Sequence, residues 1–109
     1  MPIWKNAVTV FSGGTEQIKQ LKGRRVRCKA PIQLNLYDPI NNKQESAAIA
    51  PGSIGIVSNH HPTQFYLLIA FDMRPSATVT TLENMMRGGN FRVFMVNEPT
   101  FKFQFEVES

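Results

Sequence analysis

Residues 23 to 30, GRRVRCKA, concentrate the side chains best suited to holding an acidic ligand. Six of the chain's 12 Lys and Arg residues lie between positions 19 and 29 with no acid among them: Lys19, Lys22, Arg24, Arg25, Arg27 and Lys29. Read as a strand, the stretch puts Arg25, Arg27 and Lys29 on one face and Val26, Cys28 and Ala30 on the other. Cations two residues apart on a strand stand about 6.5–7 Å apart, close to the phosphate spacing of an extended nucleic-acid strand. The plainer account is that an outward strand face is polar anyway, and that Lys and Arg guard a sheet edge against aggregation. No aromatic residue between Phe11 and Tyr37 offers a base a stacking platform. The aromatic ribonucleoprotein motif is not present. The solvated face is therefore preferred, with a nucleic-acid contact as the alternative.

The remaining chemistry-bearing residues are sparse. SNHHPTQ holds the 2 histidines. Adjacent His60 and His61 are short of the three or four ligands a metal site needs, and no carboxylate is near in sequence. The expectation is a turn shaped by Asn59 and Pro62 with both imidazoles exposed, and no metal. Cys28 alternates with Val26 and Ala30 as a small core residue does, and for nucleophilic catalysis nothing in the spacing of Asp38 or Asp72 places either as an orienting acid beside a histidine. FSGGTEQ offers a Gly-rich turn before a helix, without the lysine of a phosphate loop. Glu106 and Glu108 share one strand face, where solubilisation suffices as a role. Trp4, Tyr37 and Tyr66 fall outside the inward faces and suit an interface, and Met73, Met85 and Met86 would add adaptable apolar contact.

The elements that must position these groups follow from periodicity. AVTVF (7–11) alternates as a strand, and TEQIKQLKG (15–23) has the caps of a short helix with Ile18 and Leu21 inward. After the basic strand, IQLNLY and QESAAIA flank the turn formers of DPINNK as a long hairpin. SIGIVS follows Pro51-Gly52. In QFYLLIAFDM both faces are apolar, Phe65, Leu67, Ile69 and Phe71 against Tyr66, Leu68 and Ala70, which predicts a central strand covered on two sides. TTLENMMRGGN reads as a second short helix, with Thr80 and Glu83 at capping-box spacing. FRVFMV and FKFQFEVE close the chain as strands, the last with Phe101, Phe103, Phe105 and Val107 inward.

A chain of 109 residues with 8 phenylalanines, 42% hydrophobic and 18% charged, is expected to form one domain over 1–109 with its own core. The fold class expected is mainly β: a small barrel of five to seven short antiparallel strands with two short helices. From GRRVRCKA through the long hairpin, APGSIGIVS and QFYLLIAFDM to the closing strand, the layout of residues 23 to 97 resembles the SH3-like barrels. A single cysteine excludes an internal disulfide, and the longest apolar run, FYLLIAF, is far too short for a membrane span. The reading is a cytoplasmic, non-enzymatic binding module without cofactor, acting on a protein partner or a second copy of itself. A nucleic-acid-binding barrel using the 19–29 cluster is the alternative. A small enzyme, such as a toxin-type nuclease, lacks a visible constellation.

Overall fold

The computed structural model describes residues 4–10, 18–41, 44–72 and 81–108. Among them are eight strands: β1 (Trp4–Asn6), β2 (Arg25–Cys28), β3 (Ile32–Leu36), β4 (Ser46–Ile49), β5 (Ile54–His60), β6 (Tyr66–Asp72), β7 (Phe91–Asn97) and β8 (Phe105–Glu108). All pair antiparallel in one sheet of order β1-β8-β2-β5-β6-β7-β3-β4, curled into a half-barrel. Helical segments α1 (Ala7–Val10), α2 (Leu82–Gly88) and α3 (Glu98–Gln104) join them, and residues 18 and 19 are helical as well.

The mainly β expectation holds, and β6 is central as its two apolar faces require. Leu67, Ile69 and Phe71 enter the main core on the inner face with Val26, Cys28, Val57, Phe94, Phe101, Phe105 and Val107. On the outer face Ala70 joins Ile56 and Met85 in a smaller cluster beneath α2. Phe65, expected inward, is 69% exposed in the bend that precedes the strand. The predicted hairpin is β3–β4, with Leu34 opposite Ala47 and Ile32 opposite Ile49.

α2 is capped one residue later than the spacing predicts. Thr81 accepts a hydrogen bond from the Asn84 N–H, and Gly89 closes the helix at φ 76°, a conformation that favours glycine. Thr80 lies outside the described residues, as do residues 11–17, which hold the FSGG turn and the start of the first predicted helix. Ile18 and Leu21, at that helix's end, are buried as expected.

Two predicted strands are corrected. Ala7–Val10 is helical, and only Trp4–Asn6 before it pairs with β8. Residues 98–104 form α3 instead of extending the last strand. Asn97 caps α3 by accepting from the Thr100 N–H, Pro99 occupies the first turn, where its missing N–H costs nothing, and Lys102 sits at the negative end. Phe101 and Phe105, four residues apart, then fall on the same side and their rings stack at 5.7 Å, while Phe103 turns out and is 62% exposed. Phe105 reaches Phe71, and Phe71 reaches Phe94, so a line of phenyl rings ties α3 to the sheet centre.

Candidate functional site

The basic strand is an interior strand, flanked by β5 and β8, so its cations guard no edge. Register places each arginine beside a glutamate of β8. Arg27 is opposite Glu106, and its Nε donates to Oε1 at 2.9 Å. Arg25 Nε lies 3.2 Å from Glu108 Oε2, an ion pair whose angle falls outside a hydrogen bond. The next strand completes the rows, with Asn6 and Trp4 of β1 opposite Glu106 and Glu108. Lys29 Nζ donates to Asn6 Oδ1 at 3.2 Å, Arg24 donates to the Glu108 carbonyl at 2.7 Å, and the Arg27 guanidinium lies 4.6 Å over the Trp4 ring. On the other side Ile54 and Ile56 of β5 flank the arginines. Cross-strand opposite charges of this kind contribute roughly 0.2–1 kcal/mol each. Lys22 is exposed in the turn before β2, and Lys19 is exposed in the preceding helical turn.

The acids that neutralise this face were legible as a pair but not as partners. Glu106 and Glu108 lie some eighty positions away in sequence, and only strand order brings them beside Arg25 and Arg27.

His60 departs most from expectation. It is buried, and its Nε2 lies 2.9 Å from Glu98 Oε2 while Nδ1 lies 2.7 Å from the His61 carbonyl. A bulge in β5 puts it there. Val57 pairs with Ile69, the register then shifts, and Asn59 pairs with Leu68 and His60 with Leu67. The extra residue reverses the alternation, so His60 joins the inner face that simple period-two counting gives to Asn59. Ser58, at the bulge, donates to the Leu68 carbonyl.

Glu98 approaches from the first turn of α3, where its N–H donates to the Phe65 carbonyl. The pair thus fastens the 61–65 turn to the start of α3. A backbone carbonyl only accepts, so His60 Nδ1 carries a proton. The contact between Nε2 and the carboxyl holds one further proton, on whichever atom, and the pair is neutral overall. Side-chain exposures of 4% and 10% keep it from solvent, so its geometry suits a fastening. His61 is half-buried. Its Nδ1 accepts from the Thr63 and Gln64 N–H groups, which assigns its proton to Nε2, and its ring packs 4.8 Å from Tyr66.

Cys28 is buried in the core with its Sγ donating to the Ala30 carbonyl, and burial pushes its thiol up from the ordinary range. Among the described residues no cluster of three or more His, Cys, Asp or Glu could hold a metal ion, and no helix is long and apolar enough to cross a membrane.

The aromatic surface separates into two places. Trp4 belongs to the Arg–Glu rows on β1. Tyr37 and Tyr66 lie on the other side of the sheet centre, where partial desolvation and then Tyr37's charge push the Tyr66 phenol up. Tyr37 lines an open groove of about 430 Å³ with Asn35, Leu36, Asp38, Glu45 and Met95. Across Tyr37 a second hollow of about 310 Å³ shares Leu36, Asp38 and Glu45 and adds Phe91, Arg92 and Val93. β3 pairs with β7 at Asn35–Met95 and Leu36–Phe94, and the Tyr37 N–H donates to the Val93 carbonyl, so the groove lies beside the end of β3 where the chain turns toward β4. No family model matches the chain, and neither the curated proteins nor the solved structures contain a match.

Proposed function

We propose that this chain is a small, non-enzymatic binding module whose ligand is a protein surface. The observation that carries the reading is the groove at Tyr37 and Met95. It combines an aromatic with a polar handle, a deformable thioether and two carboxylates in an opening wide enough for a side chain. The SH3-like layout of residues 23 to 97 and a reducing, cytoplasmic setting belong to the same proposal. The long β3–β4 hairpin beside β5–β6–β7 supports the former, and the lone buried thiol supports the latter.

The test is capture from extract together with solution mass, for the wild type and a Tyr37→Ala/Met95→Ala variant. A partner or self-associated species that disappears with the variant supports the reading. An unchanged monomer that captures nothing with either chain overturns it.

A second reading, contact with nucleic acid, draws on exposed Lys22, Arg24 and Lys29. Arg25 and Arg27 contribute less to it, being paired with Glu106 and Glu108. Its test is a salt titration of binding to random DNA and RNA. A steep loss with salt that flattens in Lys22→Gln/Lys29→Gln supports it, and no binding at low salt removes it.

A further inference from the structure

We infer that the free edge of β4 accepts an extended, lysine- or arginine-bearing segment of a partner protein as an added strand. This deepens the binding-module reading and rests on it.

Among the described residues the sheet ends at β4, whose ladder is with β3 alone. The Leu36 N–H donates to the Glu45 carbonyl, so the residue alternating with Glu45, Ala47, directs its backbone groups to β3. Ser46 and Ala48 therefore direct theirs outward, and both residues are exposed. Nothing within Ser46–Ile49 protects this edge: the segment SAAI has no charge and no proline, and no bulge interrupts its pairing. The opposite edge, β1, carries Lys5 at its centre and is guarded in that way. Small side chains at positions 46 to 48 also let another backbone come close.

Two observations define the occupant. The inner apolar face is thinnest at this edge, where Ile32, Leu36 and Ala47 pack against the core yet remain partly exposed. An added strand with an apolar residue on its inward side would cover them. At the Glu45 end the described residues that line the groove include the acids Asp38 and Glu45, while Arg92 lies in the neighbouring hollow. Asp38 Oδ1 accepts from the Asn41 N–H, which holds its carboxylate in place at the groove wall. A cation at one end of the incoming segment meets these acids. A second copy fits less well, because four residues of edge bury far less than the roughly 1,200 Å² of a stable dimer.

The experiment is fluorescence anisotropy with two labelled seven-residue peptides of alternating valine and threonine, one ending in two lysines and the other in two glutamates. The lysine peptide is expected to bind about tenfold more tightly, a difference near 1.4 kcal/mol. Ala48→Pro removes an N–H that points away from β3, at an edge position where proline is tolerated, and is expected to abolish binding with the circular dichroism unchanged. Glu45→Lys, a surface change that leaves the edge intact, is expected to remove the preference for the lysine peptide. Equal binding of the two peptides, binding that survives in folded Ala48→Pro, or no binding of either peptide overturns the inference. If it is overturned while the Tyr37→Ala/Met95→Ala-sensitive species persists in extract, the binding-module reading stands and only the edge is wrong.

Discussion

Replacing His60 by alanine is expected to destabilise the fold far more than removing one exposed histidine. Glu98 would remain 10% exposed in its side chain, with its 2.9 Å partner gone and α3 still anchored through the Glu98 N–H to the Phe65 carbonyl. Breaking a buried pair by removing one partner costs about 3–5 kcal/mol, and here it takes the imidazole away from the buried Glu98 carboxyl. In urea, where the slope is roughly 1.5 kcal/mol per molar, a loss of about 3 kcal/mol moves the midpoint down by about 2 M. Two controls separate the pair from mere packing. Glu98→Gln keeps a donor for Nε2 of a His60 that is protonated on Nδ1, and is expected to cost about 1 kcal/mol, the scale of one hydrogen bond. His60→Leu/Glu98→Leu removes both polar partners together and is expected to fall within about 1.5 kcal/mol of wild type. If His60→Ala changes the midpoint by no more than an ordinary surface substitution, or if Glu98→Gln costs as much as His60→Ala, the buried neutral pair is wrong.

Phe101→Ala should cost about 3–5 kcal/mol and Phe103→Ala almost nothing, because the first ring is buried against Phe105 and the second is 62% exposed; comparable losses in thermal unfolding would restore a strand over 101–104. Gly55→Ala should lower stability by roughly 1–3 kcal/mol, since its added methyl would meet the Ala70 carbonyl oxygen and the Ile69 and Phe71 side chains at 2.9 Å; an unchanged melting temperature would show that β5 and β6 lie farther apart. Cys28 should react with a thiol reagent at neutral pH far more slowly in the native chain than in denaturant, because burial hides it and raises its pKa. The sign for stability follows from that raised value: the folded thiol holds its proton more tightly, so its contribution is complete below the unfolded thiol's pKa and is lost as pH rises from there through the folded value. Cys28→Ala should flatten that alkaline decline, and an unaltered decline would assign it to other groups.

What the alternation of side chains could reveal, and where it misled, depends on whether one period runs uninterrupted through an element. In β2, β3 and β6 it does, and Val26, Cys28, Leu34, Leu67, Ile69 and Phe71 are buried as period two requires. FKFQFEVE also alternates, but the same letters place Phe101 and Phe105 four apart, and the helical reading was signalled just upstream by Asn97-Glu98-Pro99. Local alternation and a capping signal competed there, and the cap decided the first turn. In β5 the bulge has no signal in the letters of IGIVSNH, so the phase of His60 could not be counted from Ile54. Glu98 was invisible for a different reason: its partner is set by docking α3 on the 61–65 turn, a contact that no spacing encodes.

The charge pattern shows how far composition alone can mislead about a partner. Residues 19–29 carry six cations without an acid, which in an unfolded chain would dominate encounter with any anionic ligand. Folding lays β8 directly beside β2, and Glu106 and Glu108 meet Arg27 and Arg25 on the outer face. The formal +4 is unchanged, yet these two arginines and two glutamates cancel locally. Cations beyond a Debye length of about 8 Å are largely screened at physiological salt. Among the described residues, the charges that line the groove beside the β4 edge are Asp38 and Glu45, with Arg92 across Tyr37. A net-basic protein thus presents an acid-lined opening at its open sheet edge, and selectivity there should follow those carboxylates, whatever the sign of the whole chain.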